Sequence, residues 1–255
     1  MPVNLLKSQT MKIAYLVIGL VALSAHSFAG SIIASGDSNI AESVTGGNAT
    51  FFDNVLGAGK SVLIQELDPG TAGFGANLAS FYNGLGGGVT ATQTTSTSVA
   101  SLSGVNLFIT MLPQSSYSAS ELSAMTSLLN TGGTIFFIGE STGYGPGNVT
   151  DPIITSTLAA LGSTMTMAGN DGTVYPVAAG VVANPLTAGV ASFTYGFTSL
   201  VSGGTPLFLA QDGNPFIEVQ STSASTPEPV SGFLMLSGLT GLGLLAQRKK
   251  DPLSR

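Results

Sequence analysis

Residues 139–143 read Gly-Glu-Ser-Thr-Gly. This is the G-x-S-x-G spacing in which a serine at the end of a strand is lifted above a sheet as a nucleophile. Glu140 and Ser141 are therefore the first candidates for chemistry, one as acid or base and the other as nucleophile. The spacing asks for a helix directly after the serine, and Tyr144-Gly145-Pro146-Gly147 opposes one. It also asks for a neighbouring base to take the hydroxyl proton. The single histidine is His26, cysteine is absent, and the only amine side chain between residues 30 and 226 is Lys60. A polar turn at the carboxyl edge of a sheet is the favoured reading, and no catalytic residue is expected.

Asp37 and Glu66 join Glu140 at or just after expected strand ends, where open α/β sheets place their ligand sites. Two such carboxylates about 5–10 Å apart could cleave a glycan. A sugar cleft stacks its substrate on aromatics, however, and the chain has no tryptophan. With no cysteine, and no histidine beyond His26, zinc and copper are not expected. Asp37-Ser38-Asn39 and Asn170-Asp171-Gly172 offer oxygen ligands, yet neither continues into a calcium loop with a distal glutamate. Both read as turns closed by an aspartate side chain. The glycine run at 84–88 lacks the Lys-Ser/Thr of a phosphate loop and reads as a turn. Lys60, just before an expected strand, reads as an ordinary solvent position. No metal or cofactor is expected.

Charge excludes one large class of partner. Residues 30–226 hold eleven acids against Lys60, a net charge of −10. Binding DNA or RNA needs clustered Lys and Arg to displace counterions, so no nucleic-acid partner is expected. Charged residues are only 8% of the chain and hydrophobic ones 44%, the opposite of the composition of disorder. The middle should fold, with Ser, Thr, Asn and Gly covering its surface. Without cysteine it must hold together through its core alone.

The elements that must position these residues are legible in the hydrophobic pattern. Strands are expected at 31–34, 61–65, 106–111 and 134–138, and helices at 49–56, 74–85, 118–129 and 151–161. Ser118 and Glu121 form a capping box, and Gly132-Gly133 ends that helix. Residues 89–99 read only as a Thr/Ser-rich stretch. Residues 207–211 and 216–220, around Asp212-Gly213-Asn214-Pro215, read as a hairpin. The alternation predicts βαβ units and a mainly parallel sheet. The order of units, and residues 104–140 in particular, resembles the glutamine-amidotransferase-like, flavodoxin-like α/β sandwich. That resemblance implies a three-layer fold spanning about 130 residues. It also implies a catalytic cysteine and histidine, which the exported part of this chain cannot supply.

The two ends read as sorting signals. From Met11, a basic start at Lys12, an apolar stretch over 13–25 and the small residues Ser27-Phe28-Ala29 form a secretory signal peptide over 1–29, cut between Ala29 and Gly30. The chain start is Met1 or Met11. An exported α/β domain over 30–220 and a Ser/Thr linker over 221–226 follow. Next come Pro227-Glu228-Pro229, apolar or small residues over 230–246, and Arg248-Lys249-Lys250, with 251–255 as a short tail. Length and flanking charge predict a C-terminal transmembrane helix over 230–246 with its basic end in the cytoplasm. Together, residues 227–250 resemble the PEP-CTERM sorting signal. The resemblance implies signal peptidase and an exosortase as processing partners and an inner-membrane-anchored precursor. It further implies a destination at the cell surface or in the exopolysaccharide matrix of a Gram-negative bacterium. The expected function is thus that of an exported, non-enzymatic surface or biofilm-matrix protein. The alternatives are an atypical hydrolase acting through Ser141 or Glu140, and a small-ligand-binding module.

Overall fold

The computed structural model describes residues 30–68, 73–99, 101–173 and 176–222. Residues 29–225 form one compact unit. The expected signal peptide, the sorting motif, the apolar segment 230–246 and the basic cluster lie outside the described residues. Among those described, no helix is long and apolar enough to cross a membrane.

The chain runs β1 (Ser31–Ser35), α1 (Gly46–Leu56), β2 (Ser61–Glu66), α2 (Phe74–Gly84), β3 (Thr90–Thr94), β4 (Leu107–Met111), α3 (Ala119–Asn130) and β5 (Thr134–Ile138). It continues through α4 (Gly147–Ala160), β6 (Thr166–Asp171), β7 (Gly180–Val181), β8 (Thr198–Ser202), β9 (Thr205–Leu209) and β10 (Pro215–Ser221). Eight strands form one sheet in the order β3-β2-β4-β5-β1-β10-β9-β7, and β6 pairs with β8 in a second. From β3 to β1 every pair is parallel. From β1 outward every pair is antiparallel.

The expectation of a mainly parallel, amidotransferase-like or flavodoxin-like sandwich is therefore corrected: the sheet is mixed, and the protein is α/β only in its first five strands. The cause is β10. The hairpin at 207–220 does form, but it docks against β1 and extends the sheet. Short connections allow only antiparallel neighbours, so the last third of the chain cannot add parallel strands. The helix expected at 151–161 is also longer than its pattern implied. It starts at Gly147, five residues before Pro152, which sits exposed inside it.

Both faces of the central strands are apolar, which is why they read as continuous hydrophobic runs. Ile33, Ile109 and Phe136 point to a core shared with Phe51 and Phe52 of α1, Tyr82 of α2, and Phe193, Phe208 and Phe216. Ile32, Phe108 and Phe137 point the other way, to Met125 and Leu128 of α3 and Ile154 and Leu158 of α4. Phe193 and Phe208 stack with centroids 4.0 Å apart, and Phe51 meets both rings edge-on at 5.4 and 5.0 Å. This is the geometry aromatic quadrupoles favour.

α3 begins as its sequence predicts. Glu121 accepts from Ser118 N at 2.8 Å, and Ser118 Oγ accepts from Glu121 N at 3.4 Å. Burial opposes the charge on Glu121, but the bonds from Ser118 and Val99 outweigh it and hold its carboxyl below the usual range. The described unit closes on itself where it begins and ends. Thr222 donates to Gly30 O from its backbone at 2.9 Å and from its hydroxyl at 3.0 Å. Both ends thus meet at the amino end of β1, and β1 carries the chain from there to the opposite edge of the sheet.

Candidate functional site

At that opposite edge β1 and β5 run out side by side, their last residues Ser35 and Ile138 in register. Asp37 and Ser38 follow β1, and Glu140 and Ser141 follow β5. Ser38 Oγ donates to Glu140 Oε2 at 2.6 Å, which ties the two strand ends together across 102 residues of sequence. α4 then brings a third carboxylate. The Asp151 side chain accepts from Ser199 Oγ and, at 3.4 Å, from Glu140 N. Ser199, on β8, also lies 3.0 Å from Glu140 O, which shares its one hydroxyl proton with Asp151, and accepts from Thr142 N. Asp37, Glu140, Asp151 and Ser199 therefore share one buried cluster, drawn from β1, β5, α4 and β8.

Close packing closes it. An added Cβ at Gly147 would lie 2.2 Å from Ser141 O and 2.4 Å from Glu140 O, so only glycine lets the first turn of α4 come this near. Asp37 is 0% exposed, Glu140 3% and Asp151 2%. Burial raises all three pKa values, Asp37 and Asp151 to about 6 and Glu140 to about 7; on Glu140 the negative charges of Asp37 and then Asp151 add to the effect. Hydrogen bonds to the charged forms pull back. Asp37 accepts from Gly196 N, Asn39 N and Asn39 Nδ2, and Glu140 accepts from Ser141 N at 2.9 Å. The three carboxyl groups thus sit buried together, each more readily protonated than in water.

Ser141 is 1% exposed, and its hydroxyl accepts from Gly143 N at 3.2 Å, shaping a turn. Among the described residues, the hydrogen bonds around it involve the Glu140 carboxylate and backbone groups. The helix that a nucleophile elbow requires is present after all, but α4 starts six residues beyond Ser141. The carboxylates expected at strand ends divide. Asp37 and Glu140 come together, while Glu66 ends β2, separated from β5 by β4. Glu66 Oε2 accepts from Gln93 Nε2 at 2.6 Å and lies where a Cβ on Gly75 would be, 2.9 Å away, at the start of α2. α2 has no side-chain cap, and the Glu66 side chain lies against its first turn, with Oε1 buried and without a hydrogen-bond partner among the described residues.

Asp37 and Asp171 both close Asx turns, accepting from Asn39 N at 2.8 Å and Thr173 N at 2.9 Å. Lys60 is exposed, its backbone N–H held by Asn106 Oδ1. Among the described residues no group of three or more His, Cys, Asp or Glu is placed to hold a metal ion. Two features of this edge escaped sequence reasoning. Asp151 stood next to Pro152 and read as a helix start, and no local signal links it to Ser199. Leu112, directly after β4, takes φ +51° while fully buried, a strained state for a branched side chain. Its N–H donates to Ile138 O and its C=O accepts from Gln114 Nε2, which hold it there.

No family model and no curated protein matches the chain. Among solved structures it resembles the mmIFT52 N-terminal domain, at 16% identity over 58% of this chain and 72% of that one, with a TM-score of 0.40. That likeness is too distant to assign a function.

Proposed function

We propose that the chain is an exported, non-enzymatic protein of the cell surface or exopolysaccharide matrix, sorted by an exosortase through its C-terminal tail. One observation carries this reading: the ordered sequence Pro227-Glu228-Pro229, apolar 230–246, Arg248-Lys249-Lys250, placed after a Ser/Thr linker. The geometry of the domain is compatible with it. Cleavage after Ala29 and near residue 228 would spare β1, β10 and the Thr222–Gly30 bonds. Ser141, Asp37 and Glu140, at the ends of β1 and β5, are buried, with their hydrogen bonds made to neighbouring hydroxyl, amide and backbone groups.

The first test is the mass of the mature protein from its native host, taken separately from membrane and culture fluid. The expected mass begins at Gly30 and ends near Pro227-Glu228-Pro229. An intact 230–255 tail in the membrane fraction would overturn sorting and leave a simple anchored protein. The rival reading is a hydrolase working through Ser141 or Glu140. Ser141→Ala and Glu140→Gln are expected to leave any turnover of esters and glycans by the purified protein unchanged. A loss of hundredfold or more in either variant would restore the hydrolase, since removing a nucleophile or general acid costs about that much or more.

A further inference from the structure

Two pairs of neighbouring parallel strands send their following helices to opposite faces of the sheet. β1 leads to α1, whose Phe51 and Phe52 lie in one core, and its neighbour β5 leads to α4, whose Ile154 and Leu158 lie in the other. β2 leads to α2, whose Leu78 and Tyr82 lie in the first core, and its neighbour β4 leads to α3, whose Met125 and Leu129 lie in the second. Where the chain parts in this way at the carboxyl edge, open α/β sheets form the crevice in which they bind ligands. Between β1 and β5 the chain's own groups fill that place: Ser38 Oγ joins Glu140 at 2.6 Å, and Gly147 brings α4 against Ser141. Between β2 and β4 the contents differ.

Glu66 is the last residue of β2, in register with Met111 of β4, and is 4% exposed. Its Oε2 accepts from Gln93 Nε2 and lies against Gly75 in the first turn of α2. Its Oε1 is buried with no hydrogen-bond partner, the one such side-chain atom among the described residues. Leu112, the next residue after β4, is held at φ +51°, a strained backbone state of the kind that gathers at ligand sites. Gln114 Nε2 donates to Leu112 O, and Gln65, Thr110 and Tyr117 are joined to one another through their amide and hydroxyl groups. The domain has no cation to bring here. Its only basic side chain, Lys60, directly precedes β2 and so stands at the far end of that strand from Glu66.

We propose that the crevice between the carboxyl ends of β2 and β4 binds a small ammonium compound, which donates an N–H to Glu66 Oε1. The atom to be satisfied is an acceptor, so the ligand must be a donor. A buried carboxylate oxygen is costly to leave unpaired, and a charged donor makes the stronger hydrogen bond to it. With Lys60 out of reach, that positive charge has to come from outside the chain. The net charge of −10 over residues 30–226 favours it further, since the field of the domain concentrates small cations at its surface. The site belongs to the domain alone and is independent of how the chain is sorted.

Thermal melting of the full chain in mild detergent tests this, with methylammonium chloride as the probe and equal concentrations of sodium chloride and tetramethylammonium chloride as controls. Tetramethylammonium carries the same charge but no N–H. Relative to both controls, the melting temperature is expected to rise by about 3–6 °C once methylammonium reaches about tenfold its dissociation constant. Glu66→Gln should abolish the rise, because the carboxamide keeps an acceptor for Gln93 and turns a donor to the place of Oε1. Amide NMR of the wild type keeps the test decisive if that variant does not fold: the N–H signals of Leu67, Gly75 and Leu112 should move with saturation as methylammonium is added, while those of Asp37 and Ser141 stay in place. No rise, a rise matched by tetramethylammonium, a rise that survives Glu66→Gln, or no saturable movement of those three signals overturns the proposal.

Discussion

A chain ending at Gly213, which lacks β10, is expected not to fold. It should show no cooperative melting transition and should be degraded by protease at the rate of an unfolded chain. β10 is the last described strand, yet it lies between β1 and β9 and pairs with both. Removing it exposes one whole edge of β1, from Ser31 to Ser35, and cuts β9 and β7 off from the sheet. It also removes Phe216 and Ile217, each 0% exposed. Truncating one such aromatic to alanine costs about 3–5 kcal/mol, and whole domains are stable by only about 5–15 kcal/mol. Gly36 N–H, which donates to Phe216 O, would be left buried without a partner. A chain ending at Thr222 should melt as the full chain does, because the Thr222–Gly30 bonds are intact. If the chain ending at Gly213 folds, the central place of β10 is wrong. The first and last described strands are neighbours, so the sheet cannot close until the last one is available.

The second large effect concerns pH. Three groups in the strand-edge cluster bind protons more tightly when folded than when unfolded: Asp37 and Asp151 at about 6, and Glu140 at about 7. A raised folded-state pKa contributes stability that is fully present below the unfolded value and is lost as pH rises through the folded one. The domain should therefore lose stability between about pH 4 and pH 8, the reverse of ordinary acid denaturation. Among the described residues no cation faces the cluster: the negative charges of Asp37 and Asp151 both act on Glu140, Glu42 adds negative charge to Asp37, and the other contacts are hydroxyls, amides and backbone. Asp171 works in the opposite sense. Burial opposes its charge, but Thr173, Tyr195 and Gln211 hold it low by hydrogen bonds, so its contribution is lost only in stronger acid.

Glu140→Gln isolates the largest share. Glutamine can accept from Ser141 N and donate to Ser38 Oγ, so packing and hydrogen bonds are kept while the charge is removed. The shift of Glu140 from 4.5 to about 7 corresponds to about 3 kcal/mol of destabilisation above neutral pH. The variant should thus melt higher than the wild type at about pH 8 and about equally at about pH 4. Urea midpoints across that range would measure it. Because the three carboxylates interact, the slope belongs to the cluster and should flatten, without disappearing, in the single variant. A wild type whose stability rises from pH 4 to pH 8 would contradict the geometry described for this edge.

The sequence by itself determined the elements whose pattern is local. β1, β2, β4 and β5 are runs of apolar residues buried on both faces, and α3 carries its own start signal in Ser118 and Glu121. The hairpin of β9 and β10 is encoded around Asp212-Gly213-Asn214-Pro215. Other features were decided only in three dimensions. β3 is Thr-rich and polar, with no apolar alternation to mark it, and becomes a strand because β2 offers an unpaired edge. Nothing in 215–221 announces that it will sit against β1, because pairing direction depends on which edge is free when the hairpin arrives. The proton-holding cluster gathers residues 37, 140, 151 and 199 from four elements. Sequence reading placed Asp37 and Glu140 at strand ends but could not bring Asp151 and Ser199 to them. Periodicity reports how a segment relates to one buried face; strand order and the sharing of charge between distant residues arise from packing, which no short window of sequence contains.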